Sequence, residues 1–138
     1  MSDFRKLSED VLASPQLTLD DVDAARVEGV RLIVNNRPEG ESDDQTPGHA
    51  IEAAARQVGI EYAEIPIGRD GFGEAQVQAM GEALAGAQGK VLAYCRSGTR
   101  STLLWALAQA AAGQDPDRLA AAAAAAGYDV APVRSAMD

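Results

Sequence analysis

The chain has 138 residues, of which 46% are apolar and 24% charged, and its formal net charge is −9. This length suits one domain with its own hydrophobic core, so we expect a single domain over 1–138 with its core at about 11–128. The negative charge argues against nucleic acid and anionic membranes as partners. One cysteine precludes an internal disulfide, no signal peptide is visible in MSDFRKLSED, and no apolar run spans a membrane, so we expect a cytoplasmic protein.

Apolar runs alternate with capped helical segments along the chain. The predicted elements, in chain order, are a strand within 11–17, a helix over 19–28, a strand at 30–36, a helix capped by Thr46 with Pro47 as its first residue, a strand at 60–67, a helix over 74–87, a strand at 90–94, a helix to about 112 and a last helix over 115–127. Residues 1–10 lack periodicity, and no element is predicted there. The order predicts an α/β fold with an open, mostly parallel sheet of four to five strands and helices on both faces.

Three loops leave the carboxyl ends of the predicted strands, where ligands bind in such sheets. One of them, CRSGTRS (95–101, hereafter the cysteine loop), leads from a strand into a helix, whose N-terminus offers free amides and a partial positive charge. Small residues let its backbone curl with the amides inward, as in an anion-binding nest. This setting favours a nucleophilic thiolate at Cys95; the alternative is a buried thiol that only fills space. The predicted anion-binding residues are Arg96, Ser97, Gly98, Thr99, Arg100 and Ser101, the last as a donor to the sulfur.

The segments SPQLTLDD, NNRPEGE, IPI, AYCRSGTRSTLLWAL and AAGYD together resemble the phosphatase-like domain of the beta-lactamase hydrolase-like proteins. The resemblance runs from about Leu12 to Tyr128. It implies a fold similar to that of the dual-specificity phosphatases and a site centred on Cys95. It also implies a link to persulfide metabolism through fused relatives, and sulfur transfer is attributed to the same family.

The length of the cysteine loop separates two chemistries. The phosphatase signature places its arginine six positions after the cysteine, whereas Arg100 follows Cys95 by five, and Tyr94 stands where phosphatases have histidine. The pattern resembles the shorter rhodanese loop, whose tighter ring of amides suits a sulfane sulfur. We therefore expect sulfur transfer through a Cys95 persulfide, from a persulfide or thiosulfate to a thiol or protein acceptor. The alternatives are a cysteine-dependent phosphatase of dual-specificity type, acting on a phosphate ester through a thiophosphate, and a non-catalytic anion- or phospho-binding module.

Other polar residues follow the strands near the same edge. A phosphatase needs a general acid, and the resemblance to dual-specificity phosphatases points to Asp70, in the loop after the IPI strand end. The alternative is that Asp70 only forms a turn. Asn36 and Arg37 are expected to orient the cysteine loop or to bind substrate oxygens. The further acid candidates are Glu74, Asp43 and Asp44.

No metal and no cofactor are expected. His49 and Cys95 are the only histidine and the only cysteine, and a structural zinc site takes four ligands. Trp105 is expected to lie in the core beside leucines of the helix that follows the cysteine loop.

Overall fold

The computed structural model describes residues 2–138, which form one five-stranded sheet with helices on both faces. The strands are β1 (Arg5–Ser8), β2 (Val11–Ser14), β3 (Val30–Asn35), β4 (Glu61–Glu64) and β5 (Lys90–Tyr94). The helices are α1 (Leu19–Glu28), α2 (Gly48–Gln57), α3 (Glu74–Gly86), α4 (Thr99–Ala111), α5 (Pro116–Ala125) and α6 (Arg134–Met137), the last preceded by a 3-10 turn at Ala131–Val133. The spatial order is β1-β2-β5-β3-β4, and only β1 with β2 is an antiparallel pair. The predicted α/β class with a mostly parallel sheet is confirmed.

Strand β1 was not expected, because only one residue of Arg5–Ser8, Leu7, is buried. A single apolar position in an edge strand cannot show the alternation of apolar and polar residues that predicts a strand. The strand predicted over 60–67 is regular only at Glu61–Glu64. Beyond it, the backbone N–H groups of Ile65 and Ile67 still donate to the carbonyls of Asn35 and Asn36, each at 2.9 Å.

Helix ends follow local chemistry, with one correction. Thr18 and Asp21 form the capping box of α1. Helix α2 begins at Gly48, one residue later than predicted, and Thr46 does not cap it. The carboxylate of Glu39 instead accepts the Gly48 N–H at 2.6 Å, so the cap comes from the preceding loop.

The sheet separates two apolar cores, as strand alternation requires. One core packs α1 and α2 on the face that carries Ile33, Leu92 and Tyr94, and the other packs α3 to α6 on the opposite face. Residues 101–108 of α4 are all buried, including Trp105, which is 1% exposed. None of the helices over residues 2–138 has the length and apolarity needed to cross a membrane. The buried α4 therefore gives the cysteine loop a rigid base.

Candidate active site

The cysteine loop leaves the central strand of the sheet. Strand β5 lies between β2 and β3, and the loop joins it to α4 at the carboxyl edge. Cys95 is fully buried, and its Sγ accepts the Gly98 N–H at 3.1 Å. The neighbouring strands hold the base of the loop, since Cys95 N–H donates to Ser14 O at 3.4 Å and Asn36 N–H donates to Tyr94 O at 2.8 Å. The sulfur thus lies at the positive end of a buried helix.

Two backbone carbonyls of the cysteine loop accept hydrogen bonds from residues outside this loop. Arg96 O accepts the Gln16 N–H at 3.2 Å, and Gly98 O accepts Thr102 N–H at 3.0 Å and Thr102 Oγ1 at 2.9 Å. The carbonyl and amide of a trans peptide point in opposite directions. Consequently the Ser97 N–H, in the same peptide as Arg96 O, is turned away from Gln16. Within residues 2–138 no acceptor binds the N–H groups of Arg96 and Ser97, so both can donate to an oxyanion.

Three exposed residues form the outer rim of the loop. Arg96, Ser97 and Thr99 are all exposed. Ser97 Oγ donates to Thr99 Oγ1 at 3.0 Å and accepts the Thr99 N–H at 3.3 Å. The Thr99 amide is therefore already bonded, whereas the Arg96 guanidinium extends into solvent beside the loop.

Arg100 is the arginine that the fold orients. Its Nη1 donates to Glu41 Oε2 at 2.7 Å and to Ile67 O at 2.8 Å, and its Nη2 donates to Glu41 Oε1 at 2.9 Å. These bonds use three of the five N–H donors of a guanidinium, and the unused Nε–H and second Nη2–H share one edge. The hydrogen bond to Glu41 raises the pKa of Arg100, and the nearby Cys95 side chain adds to this effect. One bidentate edge of Arg100 thus remains for an anion.

Glu41 contacts the site but was not among the residues predicted from the sequence. Besides Arg100, its Oε1 accepts Arg37 Nε at 3.0 Å, and the bond from Arg100, with that from Arg37, lowers the pKa of the Glu41 carboxyl. Arg37 is nearly buried, with 4% of its side chain exposed, and also donates to Gln16 and Ser42. Arg37 therefore holds Glu41 and its loop in place and offers little surface to a substrate. In the sequence, Glu41 ends the segment NNRPEGE, and nothing there indicates its pairing with Arg100.

Asn36 and Ser101 form a buried link beneath the cysteine loop. Ser101 Oγ donates to Asn36 Oδ1 at 2.7 Å, and Asn36 Nδ2 donates to Ile65 O at 2.9 Å. Neither residue is exposed, and both polar groups of the Asn36 amide are bonded within the protein, an arrangement that suits the predicted role of orienting the loop. The Ser101 hydroxyl hydrogen is directed to Asn36 and not, as expected, to the sulfur.

Asp70 lies in a surface turn next to this site. The turn is closed by Gly71 N–H donating to Gly68 O at 3.1 Å, and Asp70 is exposed with no side-chain hydrogen bond to residues 2–138. It comes three residues after Ile67, whose carbonyl binds Arg100. The structure thus brings the residue before this turn, Ile67, to the guanidinium and leaves the Asp70 carboxyl without a hydrogen bond to residues 2–138.

The remaining acidic candidates lie on the surface. Glu74 begins α3 and Asp43 lies in the loop before α2, both exposed. Asp44 accepts the Ser42 hydroxyl at 2.7 Å, a bond that lowers the pKa of Asp44. His49 is exposed in the first turn of α2. Over residues 2–138, no three His, Cys, Asp or Glu side chains converge as metal ligands.

The fold is of the cysteine-phosphatase-like class. A protein of Neisseria meningitidis described as a "putative phosphatase" has a crystal structure that aligns with 100% of this chain and 98% of its own, at TM-score 0.87 and 32% identity. Kinase associated phosphatase shares the fold, at TM-score 0.68 and 19% identity over 88% of this chain and 80% of its own.

The chain belongs to the family of the phosphatase-like domain of beta-lactamase hydrolase-like proteins, whose model matches residues 3–112. The beta-lactamase hydrolase-like protein of Xylella fastidiosa is 39% identical over 103 residues, 74% of this chain, and that of Agrobacterium fabrum is 33% identical over 110 residues, 79% of this chain. The matched parts are only 24% and 25% of those relatives' length. The resemblance read from the sequence is confirmed, although the family match ends before α5.

Proposed function

We propose that this protein is a cysteine-dependent phosphatase that hydrolyses phosphate monoesters through a thiophosphate on Cys95. The observation that carries the proposal is the buried Cys95 sulfur at the N-terminus of α4, beside the one unused edge of Arg100. Similarity over the whole chain to a protein described as a "putative phosphatase" supports this reading. Sulfur transfer, preferred from the loop length alone, has no comparable support from the relatives.

The reaction has two steps at one sulfur. The Cys95 thiolate attacks phosphorus while the ester P–O bond breaks, and Asp70 gives its proton to the leaving oxygen. The free amides of Arg96 and Ser97, with the open edge of Arg100, hold the non-bridging oxygens as charge moves onto them. A water then attacks phosphorus, its proton passes to Asp70, the S–P bond breaks and inorganic phosphate leaves.

The nucleophile is tested by hydrolysis of an aryl phosphate. Cys95→Ser is expected to remove activity while keeping the cooperative unfolding transition, since serine fills nearly the same volume. Activity that survives in Cys95→Ser would exclude the thiophosphate route.

The general acid is tested by comparing leaving groups. Asp70→Asn is expected to slow hydrolysis of an alkyl phosphate by about 100-fold or more, and of a nitrophenyl phosphate much less, because a good leaving group needs no proton. Asp10→Asn is the matched control, since Asp10 is also an exposed turn aspartate and lies at the amino end of β5, opposite the cysteine loop. Equal losses in the two variants, or a loss only in Asp10→Asn, would remove Asp70 from this role.

Sulfur transfer is the second candidate, and the spacing of five from Cys95 to Arg100 favours it. In this reaction the thiolate attacks the sulfane sulfur of thiosulfate, the S–S bond breaks, sulfite leaves and a Cys95 persulfide forms. An acceptor thiolate then takes the sulfur and restores Cys95. A persulfide found by mass spectrometry, with thiosulfate turnover and no ester hydrolysis, would replace the phosphatase proposal. Anion binding without either activity would support the binding-module alternative.

A further inference from the structure

A tyrosine from the C-terminal part of the chain contacts the back of the cysteine loop. Tyr128 follows α5, lies outside the family match at 3–112, and is 8% exposed. Its hydroxyl donates to Ser97 O at 3.1 Å. The guanidinium of Arg5 lies 5.3 Å from the centroid of the tyrosine ring and donates to Ala126 O at 3.2 Å. Strand β1 and the turn after α5 therefore fix the position of the ring.

The carbonyl that Tyr128 binds and the N–H that donates to Cys95 Sγ belong to the same peptide group. Ser97 O and Gly98 N–H are the two polar groups of one peptide, and they point in opposite directions because the peptide is trans. Tyr128 binds the carbonyl end, and Cys95 Sγ accepts the amide end at 3.1 Å. Rotation of this peptide would break both bonds and turn a carbonyl oxygen toward the anion site. The Tyr128 hydroxyl thus opposes the peptide rotation that would most weaken anion binding by the cysteine loop.

The residue at position 98 leaves room for this contact. Gly98 has φ +94°, and a Cβ added there would overlap the Tyr128 hydroxyl and approach Ser14 O within 3.3 Å. Both the left-handed backbone and the close hydroxyl therefore favour glycine. Burial raises the pKa of Tyr128, so the hydroxyl keeps its hydrogen for Ser97 at neutral pH.

We infer that Tyr128 is a positioning residue of the cysteine loop, whose hydroxyl holds the Ser97–Gly98 peptide with its amide toward the sulfur. The inference deepens the proposed function and shares with it the assumption that the loop binds an anion. It does not require turnover. Tyr128 touches no reacting atom and acts only through the peptide that it holds.

Inorganic phosphate is the probe, with its dissociation constant measured by isothermal titration calorimetry. Tyr128→Phe removes one hydroxyl and keeps the ring, so we expect the dissociation constant to rise about fivefold, as for loss of one hydrogen bond. The Gly98 amide resonance should shift in a ¹⁵N spectrum of the variant, and KM for an aryl phosphate should rise by more than kcat falls. A residue that only stabilises the fold would change neither the resonance nor the phosphate affinity.

Tyr62→Phe is the matched control. It removes the hydroxyl of another tyrosine, which contacts Asn35 and Glu64 and not the cysteine loop. Phosphate affinity within twofold of wild type in Tyr128→Phe, or an equal loss in Tyr62→Phe, would overturn the inference. Failure of wild type to bind phosphate would do the same.

A second variant guards against misfolding. If Tyr128→Phe unfolds, Arg5→Met takes its place, because methionine keeps an apolar side chain over the tyrosine ring and removes the cation. This variant should also bind phosphate more weakly than wild type, and unchanged binding would count against the inference. Weaker phosphate binding by Tyr128→Phe, in a protein that hydrolyses no ester, would support the inference while refuting the phosphatase.

Discussion

Replacing Arg100 by lysine tests the site most directly, because it keeps the charge and removes the forked geometry. The guanidinium donates three of its N–H groups to Glu41 and the Ile67 carbonyl. A lysine ammonium has only three donors in total. If it satisfies the same partners, none remains for the substrate, and if it turns to the substrate, Glu41 loses its partner.

The size of the effect follows from the two N–H groups that are lost. Each hydrogen bond to a charged group contributes about 1.5–3 kcal/mol, and the retained ammonium charge recovers part of this. We expect a net loss of about 3 kcal/mol in transition-state stabilisation, which is a fall of about 100-fold in kcat/KM. The dissociation constant for phosphate should rise as well, since the same edge binds the product.

The assay is kcat/KM for an aryl phosphate, with Arg26→Lys as the control. Arg26 lies on α1 and is about half exposed, and among residues 2–138 it pairs only with Asp23, so its replacement should leave the rate unchanged. A fall of less than about threefold in Arg100→Lys would refute the assignment of the anion to the free edge of Arg100, given the energies expected of such bonds. A larger fall in Arg96→Lys would transfer that role to the exposed Arg96.

Two further predictions concern stability. The bond from Arg100 lowers the pKa of Glu41. The contribution of the Glu41 carboxylate to the unfolding free energy is therefore complete above the unfolded pKa of 4.5 and is lost as pH falls through the lower folded value. In urea titrations, the difference in unfolding free energy between wild type and Glu41→Gln should shrink below pH 4.5, and a difference that stays constant from pH 7 to pH 3 would contradict this. Gly98→Ala should destabilise by about 2 kcal/mol, because of its positive φ and the Tyr128 hydroxyl. Gly81→Ala, in the open interior of α3, should stabilise by about 0.5–1 kcal/mol, and similar values for the two variants would contradict the role of the loop conformation.

The sequence predicted those parts of the fold that local chemistry determines. Caps such as Thr18 and continuous apolar runs such as Val30–Asn35 marked most elements within a few residues of their ends. It did not predict β1, which buries one side chain, nor the order of strands, since neither depends on local pattern. The cap of α2 by Glu39, nine residues upstream, was missed for the same reason.

The candidate site was predictable where it is continuous in sequence and not where it is assembled from distant segments. Cys95 and Arg100 lie in one short segment, and that segment alone indicated an anion-binding loop. Glu41 is 59 residues from Arg100, and Tyr128 is 31 residues from Ser97. Such pairings depend on how loops approach in space. Arg37 and Ser101 lie near the cysteine loop, but their side chains form hydrogen bonds with other residues of the protein, which the sequence does not show.

The solitary cysteine determines how this site would recover from oxidation. A thiolate that is oxidised to a sulfenic acid commonly returns through a disulfide with a neighbouring thiol. Cys95 is the only cysteine within these 138 residues, so this chain holds no second thiol to resolve it. Repair of oxidised Cys95 by thiol exchange therefore requires a thiol from outside these residues, and its rate should depend on how readily such a thiol reaches the sulfur.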